Sequence, residues 1–270
     1  MDKLIFHVDV NSAFLSWTAV KMLKEEPGSI DLRTIPSAIG GDVSKRHGVI
    51  TACSIPAKKQ GVRTGEPVMR ALEKCPSLRL FPSDFKTYRE YSAKFIDILK
   101  KYALAVEQVS IDEAYLDMTG TDEPITKAEK IKEEIYESLG FTVNIGISTI
   151  KLLAKMASDF EKPDKVHTLM HDEIVTKMWP LPVEDLIYIG KQKAKKLRQM
   201  NINTISDLAH VSDKKLSKEF KNQAKQMKEY AQGIDNSKVA EQEEIKSVGR
   251  EVTLKYNTSD EEKLKEEIYK

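Results

Sequence analysis

Three acidic residues in strand-like sequence constrain this chain more than any other feature. Asp9 comes near the end of an apolar run at positions 4–10, and Asp112 and Glu113 lie side by side within segment 109–117. A nearly continuous apolar run is typical of a strand buried on both faces, so a charge at its end needs a partner. Two adjacent acids repel each other unless a cation lies between them. The pattern therefore favours a divalent-metal site.

Other interpretations of these residues stay open at this level. An acid at a strand end is also a common turn former or helix cap, and Asn11 or Ser12 can cap the following helix equally well. Alternation along the strand puts His7 and Asp9 on one face, as in a zinc pair, but no third nitrogen or sulfur ligand is nearby in the sequence.

Composition describes an ordinary cytoplasmic protein. The chain has 270 residues, of which 40% are hydrophobic and 31% charged, enough for a large core and two or more domains. No apolar run approaches the ~18 residues of a membrane span, and the sequence begins with a strand rather than a signal peptide. Cys53 and Cys75 lack metal-ligand spacing, so we expect reduced thiols.

Charge is unevenly distributed. The net charge is only +1, yet residues 181–240 carry 12 Lys and Arg against 7 Asp and Glu. Such a basic segment is either a solvated surface or a contact for a polyanion.

Hydrophobic periodicity predicts a β-α-β-β-α-β order, the ferredoxin-like plan. The predicted strands cover 4–10, 106–110, 113–118 and 141–148, and the predicted helices cover 85–102 and 125–139. Ser148 is expected to cap a further helix that extends to Phe160. A small lobe is predicted from strands at 35–39 and 49–52 and a short helix at 56–60.

Segment 186–197 is predicted to be helical, unlike the alternating strands and helices before it. It predicts a helix, a tight turn at Gly190 and a second helix, and Thr204 is expected to cap another helix. This arrangement resembles a helix-hairpin-helix, in which backbone N–H groups of the turn bind a DNA phosphate without reading the bases.

An ordered set of motifs resembles the Y-family translesion DNA polymerases of the bacterial DNA polymerase IV type (the ImpB/MucB/SamB family). The matching segments are 6–14, 39–41, 48–65, 110–117, 145–148, 154–163, the Gly190 turn and 247–251. The resemblance implies an α+β fold, with a ferredoxin-like polymerase palm, small α/β fingers and an all-helical helix-hairpin-helix thumb.

The same resemblance implies domain boundaries. These are a palm at 1–26 and 75–165 (with 11–26 leading to the fingers), fingers at 27–74, a thumb at 166–233, a linker at 234–245 and the start of a little finger at 246–270. Family members continue further, so we expect a truncated chain that is weakly active and lacks the C-terminal peptide that binds the sliding clamp.

For the catalytic site, the resemblance implies two Mg²⁺ ions, for which Mn²⁺ can substitute. Asp9 and Asp112 are expected to bridge both ions and Glu113 to bind the catalytic one, with the Val10 carbonyl completing the shell on the nucleotide side. Catalysis is therefore assigned to Asp9, Asp112 and Glu113.

For the nucleotide, the resemblance implies that Phe14 excludes a 2′ hydroxyl and that Lys58 and Lys162 bind the triphosphate. The chain departs from the family here, because Ile55 and Lys58 stand where Tyr and Arg are usual. Ser54 is a candidate to supply the missing hydroxyl. DNA binding is assigned to the hairpin residues Ile189, Gly190, Lys191 and Lys193, where Tyr188 replaces the family's first glycine.

The expected activity is template-directed DNA synthesis of low fidelity in the response to DNA damage. The expected partners are primer–template DNA and dNTP, and we expect a monomer. Two alternatives remain: a catalytically silent homologue that only holds DNA, and a nucleotide cyclase, which shares the palm plan and the two-metal logic. Neither the hairpin module nor the Lys162–Pro163 segment is needed by a cyclase.

Overall fold

The computed structural model describes residues 3–41, 48–240, 248–249, 254 and 257–269. The strands are β1 Ile5–Val10, β2 Ser37–Gly40, β3 Ile50–Cys53, β4 Arg79–Phe81, β5 Ala105–Gln108, β6 Glu113–Asp117, β7 Val143–Ser148 and β8 Val166–Thr168. The α-helices are α1 Ala13–Glu25, α2 Ile55–Lys59, α3 Val68–Lys74, α4 Phe85–Lys100, α5 Pro124–Leu139, α6 Lys151–Ser158, α7 Lys191–Gln199, α8 Ile205–His210, α9 Asp213–Phe220, α10 Gln223–Ala231 and α11 Glu261–Ile268.

The chain divides into two compact units. The first unit comprises Met1–Asn11 and Arg89–Gln242, and the second comprises Ser12–Tyr88 and Glu243–Lys270. The domain boundaries inferred from the sequence remain predictions.

The first unit contains a five-stranded sheet in the order β5-β6-β1-β7-β8. The predicted strands are all present in it, and β1 is antiparallel to both of its neighbours, β6 and β7. Strand β8, which is parallel to β7, was not predicted, because three residues are too few to give a periodic signal. Side chains of β1 are almost fully buried, as the apolar run indicated.

Helix α6 packs closely against the sheet at Gly146. A Cβ added there would lie only 1.9 Å from the carbonyl oxygen of Ala154, so the strand can approach the helix only without a side chain. The predicted cap at Ser148 is wrong: Ser148 lies in β7, and its hydroxyl donates to the Leu169 carbonyl at 2.6 Å. Helix α6 instead begins after Ile150, and it ends at Ser158, before Phe160.

The second unit contains a three-stranded sheet in the order β3-β2-β4. Its core is formed by small and branched apolar side chains: Ala38, Ile50, Cys53, Ala57, Val62, Val68, Ala71, Cys75 and Leu78. The two predicted strands are present with shifted bounds, whereas β4 and α3 were missed. Ser12 occupies the position before α1 with φ 49°, and its side chain makes no capping hydrogen bond, so the capping interpretation of Ser12 is wrong.

Helices α7–α10 form a helical bundle with its own core. The core continues onto α6 through Leu153, Met156 and Ala157. A capping box begins α8, in which the Thr204 hydroxyl accepts from the Asp207 N–H at 3.1 Å and Asp207 accepts from the Thr204 N–H at 2.9 Å, as predicted. The predicted helix over 186–189 is wrong, because a 3₁₀ helix at Val183–Asp185 precedes a turn instead.

Most of the predicted little-finger start falls outside the described residues. Within segment 247–251, the structure describes Val248 and Gly249 alone. Among the helices in the described ranges, none combines the length and the apolar character that crossing a membrane requires.

Candidate active site

Sheet pairing brings the distant acids together. In the register of β1 and β6, Asp9 is the direct partner of Glu113. The Val10 N–H donates to the Asp112 carbonyl at 3.0 Å, which places Asp112 beside the end of β1. Residues more than a hundred positions apart are therefore neighbours, as the sequence interpretation required.

Lysines contact two of these carboxylates. Lys162 forms an ion pair with Asp9 and another with Asp159 at 2.8 Å. Lys155 Nζ lies 2.5 Å from Glu113 Oε2, and His7 Nε2 lies 3.5 Å from the same oxygen. Each of the two acids thus has a cationic partner within the protein.

Asp112 has a different partner, the Ser110 hydroxyl, which donates to its Oδ1 at 2.6 Å. In the part of the chain that the structure describes, no three His, Cys, Asp or Glu side chains are grouped so that they could hold a metal ion. The acids are adjacent, but their side chains are directed to protein partners. The zinc pair of His7 and Asp9 likewise lacks a third ligand among the described residues.

Burial and ion pairing act oppositely on the site carboxylates. Burial raises the pKa of Asp9 above its usual value, and the charge and hydrogen bond of Lys162 only partly offset it. The hydrogen bond from His7, with a further contribution from Lys155, lowers the pKa of Glu113 to about 2. Burial lowers the pKa of His7. Glu113 is therefore ionised at neutral pH, and Asp9 is a carboxylate that gains from additional positive charge.

A buried amide network holds the loop that carries Lys162. Asn11 Nδ2 donates to Asn144 Oδ1 at 3.0 Å, and Asn144 Nδ2 donates to the Glu161 carbonyl at 2.6 Å. The Asp164 N–H donates to Asn11 Oδ1 at 2.9 Å. Sequence reasoning missed these positioning residues and Lys155. The polar amide of Asn144 within the mostly apolar run 143–148 was the available signal, since buried amides require partners.

Phe14 belongs to an aromatic cluster of the second unit. Its ring is stacked on Tyr88, with centroids 4.5 Å apart and an interplanar angle of 13°. The Tyr88 hydroxyl and Thr18 Oγ1 are 3.2 Å apart, within hydrogen-bond distance. Phe85 contacts both rings edge-on, so Phe14 is oriented from two sides.

Lys58 and Ser54 have separate local roles. Lys58 Nζ donates to Ser12 Oγ at 3.1 Å, at the N-terminus of α1. The Ser54 hydroxyl donates to the Ile35 carbonyl at 2.7 Å and accepts from the Ala57 N–H at 3.2 Å, which makes it the N-cap of α2. Ser54 is only 2% exposed. Its one hydroxyl proton is thus directed to the Ile35 carbonyl, and the role of Ser54 as the missing phosphate-binding hydroxyl stays a prediction.

The hairpin turn is built by a residue in the left-handed region. Tyr188 has φ 69°, the conformation that favours glycine, which explains why its position suits the glycine of the family pattern. Gly190 precedes α7, and Lys193 Nζ donates to the Tyr188 carbonyl at 3.1 Å.

Among the hairpin residues, Ile189 is enclosed by the protein, and its DNA-binding role stays a prediction. Its side chain is buried, and its N–H donates to the Leu186 carbonyl at 3.0 Å, so both groups make contacts within the protein. Lys191 is exposed in the first turn of α7, where backbone N–H groups have no intrahelical partner.

Comparison with known proteins identifies the family. A sequence model described as the impB/mucB/samB family matches residues 8–159, a span that contains Asp9, Asp112, Glu113 and Lys155. The chain belongs to this family. The match extends across the strands that pair Asp9 with Glu113.

Curated members of the family match almost the whole chain. DNA polymerase IV of Clostridium acetobutylicum is 49% identical over 268 residues, which cover 98% of this chain and 67% of the relative. DNA polymerase IV 1 of Bacillus subtilis is 37% identical, covering 97% of this chain and 63% of the relative. The chain therefore spans about two thirds of the length of the curated relatives it matches.

Solved structures confirm the predicted fold class. DinB from Sulfolobus solfataricus is 28% identical with a TM-score of 0.77, covering 87% of this chain and 69% of that one. A Y-family DNA polymerase chimera of Dbh and Dpo4 is 27% identical with a TM-score of 0.81, covering 98% of this chain and 77% of that one. This family member accordingly has the α+β polymerase fold of palm, fingers and helical thumb.

Proposed function

We propose that this chain carries the catalytic part of a DNA-directed DNA polymerase that performs low-fidelity translesion synthesis. The observation that carries the proposal is the pairing of Asp9 with Glu113 across β1 and β6, beside Asp112 and within reach of Lys162. Relatives at up to 49% identity are named DNA polymerase IV, and a solved neighbour is titled an insertion ternary complex of Dbh DNA polymerase.

The donor set fits divalent metal ions. Carboxylate oxygens are the ligands that Mg²⁺ prefers, and the buried Asp9 carboxylate gains from added positive charge. Asp9, Asp112 and Glu113, together with the Val10 carbonyl, would hold two Mg²⁺ ions. Mn²⁺ can substitute.

When bound, the ions supply Lewis-acid chemistry that activates the primer 3′ hydroxyl and neutralises the triphosphate. The rest is done by this chain's own residues. Lys162 is held near Asp9 by the Asn11–Asn144 network, and from there its ammonium group would contact a triphosphate. Glu113 keeps its negative charge at neutral pH because His7 and Lys155 stabilise the ionised form.

Phe14 and Lys58 are the proposed nucleotide contacts of the second unit. The Phe14 ring, fixed by Tyr88, would exclude a 2′ hydroxyl by steric contact. Lys58 would bind phosphate as a point charge, since it cannot make the bidentate contacts of the usual Arg.

The proposed partners are dNTP and primer–template DNA, with the first turn of α7 and Lys191 binding a DNA phosphate. We place the enzyme in the cytoplasm as a monomer.

Primer extension tests the function directly. With Mg²⁺ and an undamaged template, Asp112→Ala should lower the rate of primer extension by at least ~10³-fold, because a proposed metal ligand is lost. The thermal unfolding midpoint should change little, since the Asp112 carboxylate accepts its hydrogen bond from Ser110, two residues away in the same loop, and the substitution keeps the backbone carbonyl that Val10 contacts.

Asp122→Ala is the matched control, because Asp122 is an exposed acid outside the site. Extension by Asp112→Ala at the rate of the control would disprove the metal assignment. If the unmodified chain binds primer–template DNA but never extends it, the catalytically silent homologue becomes the better description.

A further inference from the structure

Lys155 has no role in the proposed nucleotide or DNA contacts, yet it makes a direct ion pair with a site carboxylate. Its Nζ lies 2.5 Å from Glu113 Oε2 and 3.5 Å from His7 Nε2. Lys155 lies in α6, directly after Ala154, whose carbonyl packs on Gly146 of β7. The rigid packing of helix on strand therefore holds the ammonium group at the carboxylate.

Lys162 makes the equivalent contact with Asp9. Both lysine side chains are partly exposed, at 26% and 36%, so each ammonium group can leave its carboxylate for solvent or for another anion. The Glu113 and Asp9 carboxylates are less exposed, at 20% and 17%. The acids thus lie on strands of the sheet, whereas each lysine reaches its carboxylate with a long side chain that has access to solvent.

The ion pairs of Lys155 with Glu113 and of Lys162 with Asp9 explain why adjacent acids are not grouped as metal ligands in this structure. Asp9 and Glu113 are partners in the register of β1 and β6, but within the described ranges no three acidic, Cys or His side chains are grouped to hold a metal. An ammonium group on a carboxylate oxygen occupies a position that a metal ion would take. It also supplies the positive charge that two neighbouring, partly buried carboxylates need.

We propose that Lys155 and Lys162 are resident counter-cations that compete with divalent metal ions for Glu113 and Asp9. This inference rests on the proposed function, because it concerns the same metal site. Binding of the ions requires each lysine to release its carboxylate. For Lys162 the released ammonium group is then available to the triphosphate, whereas Lys155 lowers metal affinity without a compensating contact in the proposed mechanism.

The test measures Mn²⁺ binding by electron paramagnetic resonance, on the full chain without DNA or nucleotide. Lys155→Met keeps the length of the side chain and removes the charge, so Mn²⁺ should bind about three- to tenfold more tightly. Lys162→Met should act in the same direction. Lys155→Arg keeps the charge and should bind Mn²⁺ like the unmodified chain, which separates a charge effect from a packing effect.

Lys101→Met is the matched control. Lys101 pairs with Glu134 at 2.6 Å, between α4 and α5, so its removal changes the net charge equally without touching the site. Unchanged or weaker Mn²⁺ binding by both Lys155→Met and Lys162→Met would overturn the proposal. The proposal would also fail if Lys101→Met increased the affinity for Mn²⁺ as much as the Lys155 and Lys162 variants do. Lys155→Gln provides a second neutral variant if the Met variant does not fold.

Acidic variants distinguish this inference from the proposed function. Asp9→Asn and Glu113→Gln should weaken Mn²⁺ binding at least about tenfold, since each removes a proposed ligand. If they do so while the lysine variants bind normally, only the competition is disproved. If the acidic variants also bind normally, the metal assignment itself fails, and the counter-cation inference fails with it.

Discussion

At the scale of single residues, position in the fold gives similar side chains different environments. Lys58 and Ser54 come from one short segment, yet Ser54 is buried as a helix cap whereas Lys58 reaches Ser12 at the start of α1. Asp9 and Asp112 differ similarly, because one pairs with a lysine and the other with a serine hydroxyl. Residue type alone could not separate these roles.

Phe14 gives the prediction at this scale. Phe14→Ala should lower the discrimination between dNTP and the matching rNTP by about tenfold or more, because a cavity replaces the ring that would exclude the 2′ hydroxyl. The check is the ratio of kcat/KM for the two nucleotides in single-nucleotide insertion.

Phe85→Ala is the control for Phe14, since Phe85 belongs to the same aromatic cluster but is 53% exposed. Discrimination that stays unchanged in Phe14→Ala, or that falls equally in Phe85→Ala, would show that Phe14 only packs in the cluster.

At the scale of secondary-structure elements, short polar contacts determine where helices begin and how they are joined. Asp84 illustrates both effects. Its Oδ1 accepts from the Thr87 N–H at 3.2 Å, at the start of α4, and its Oδ2 accepts from Lys21 of α1 at 2.8 Å. The hydrogen bonds from Lys21 and Thr87 hold the pKa of Asp84 well below its usual range.

Asp84→Ala should lower the free energy of unfolding by about 1 kcal/mol at neutral pH, because a helix cap is lost. The folded-state pKa is depressed, so the stabilisation is fully present above the unfolded pKa of about 4 and is lost as the pH falls through the folded-state pKa. Urea unfolding at a series of pH values checks this.

The difference between the unmodified chain and Asp84→Ala should therefore shrink steadily below about pH 4. Asp84→Asn is the control, since it keeps an acceptor for the Thr87 N–H but loses the charge. A difference that is independent of pH would show that the carboxylate charge contributes nothing.

At the scale of the whole molecule, charge distribution matters more than net charge. The sum is only +1, but the basic region 181–240 forms much of the helical bundle that resembles a DNA-binding thumb. Affinity for DNA should therefore depend strongly on salt, as expected for contacts with phosphate groups rather than with base edges.

Lys191→Ala tests this expectation. The variant should bind primer–template DNA more weakly, to a similar extent for unrelated DNA sequences. The magnitude of the slope of log association constant against log salt concentration should decrease by about one. Fluorescence anisotropy at several salt concentrations measures both quantities. Lys225→Ala, at an exposed lysine of α10, is the control, and an equal effect there would argue against a specific role of the hairpin.

Local sequence patterns were enough to predict several secondary-structure elements and the site acids of this protein. The strand at 4–10 and the helices near 85–102 and 125–139 were predictable. Their burial produces a pattern of apolar residues that is visible within each segment, without knowledge of what the segment packs against. The three acids were recognisable because charge at the edge of apolar strands is costly. The cap of α8 was predictable because Thr204 and Asp207 act within one turn.

Tertiary structure alone decided the rest. Strand β8 and the ion pairs of Lys155 with Glu113 and of Lys162 with Asp9 depend on contacts between segments far apart in sequence, which leave no periodic signal. Ser148 and Ser54 have equally suitable side chains for capping, and only Ser54 caps a helix, because the packing of α6 on Gly146 leaves Ser148 inside β7. Local chemistry set which residues could act, and pairing between distant strands set which of them meet.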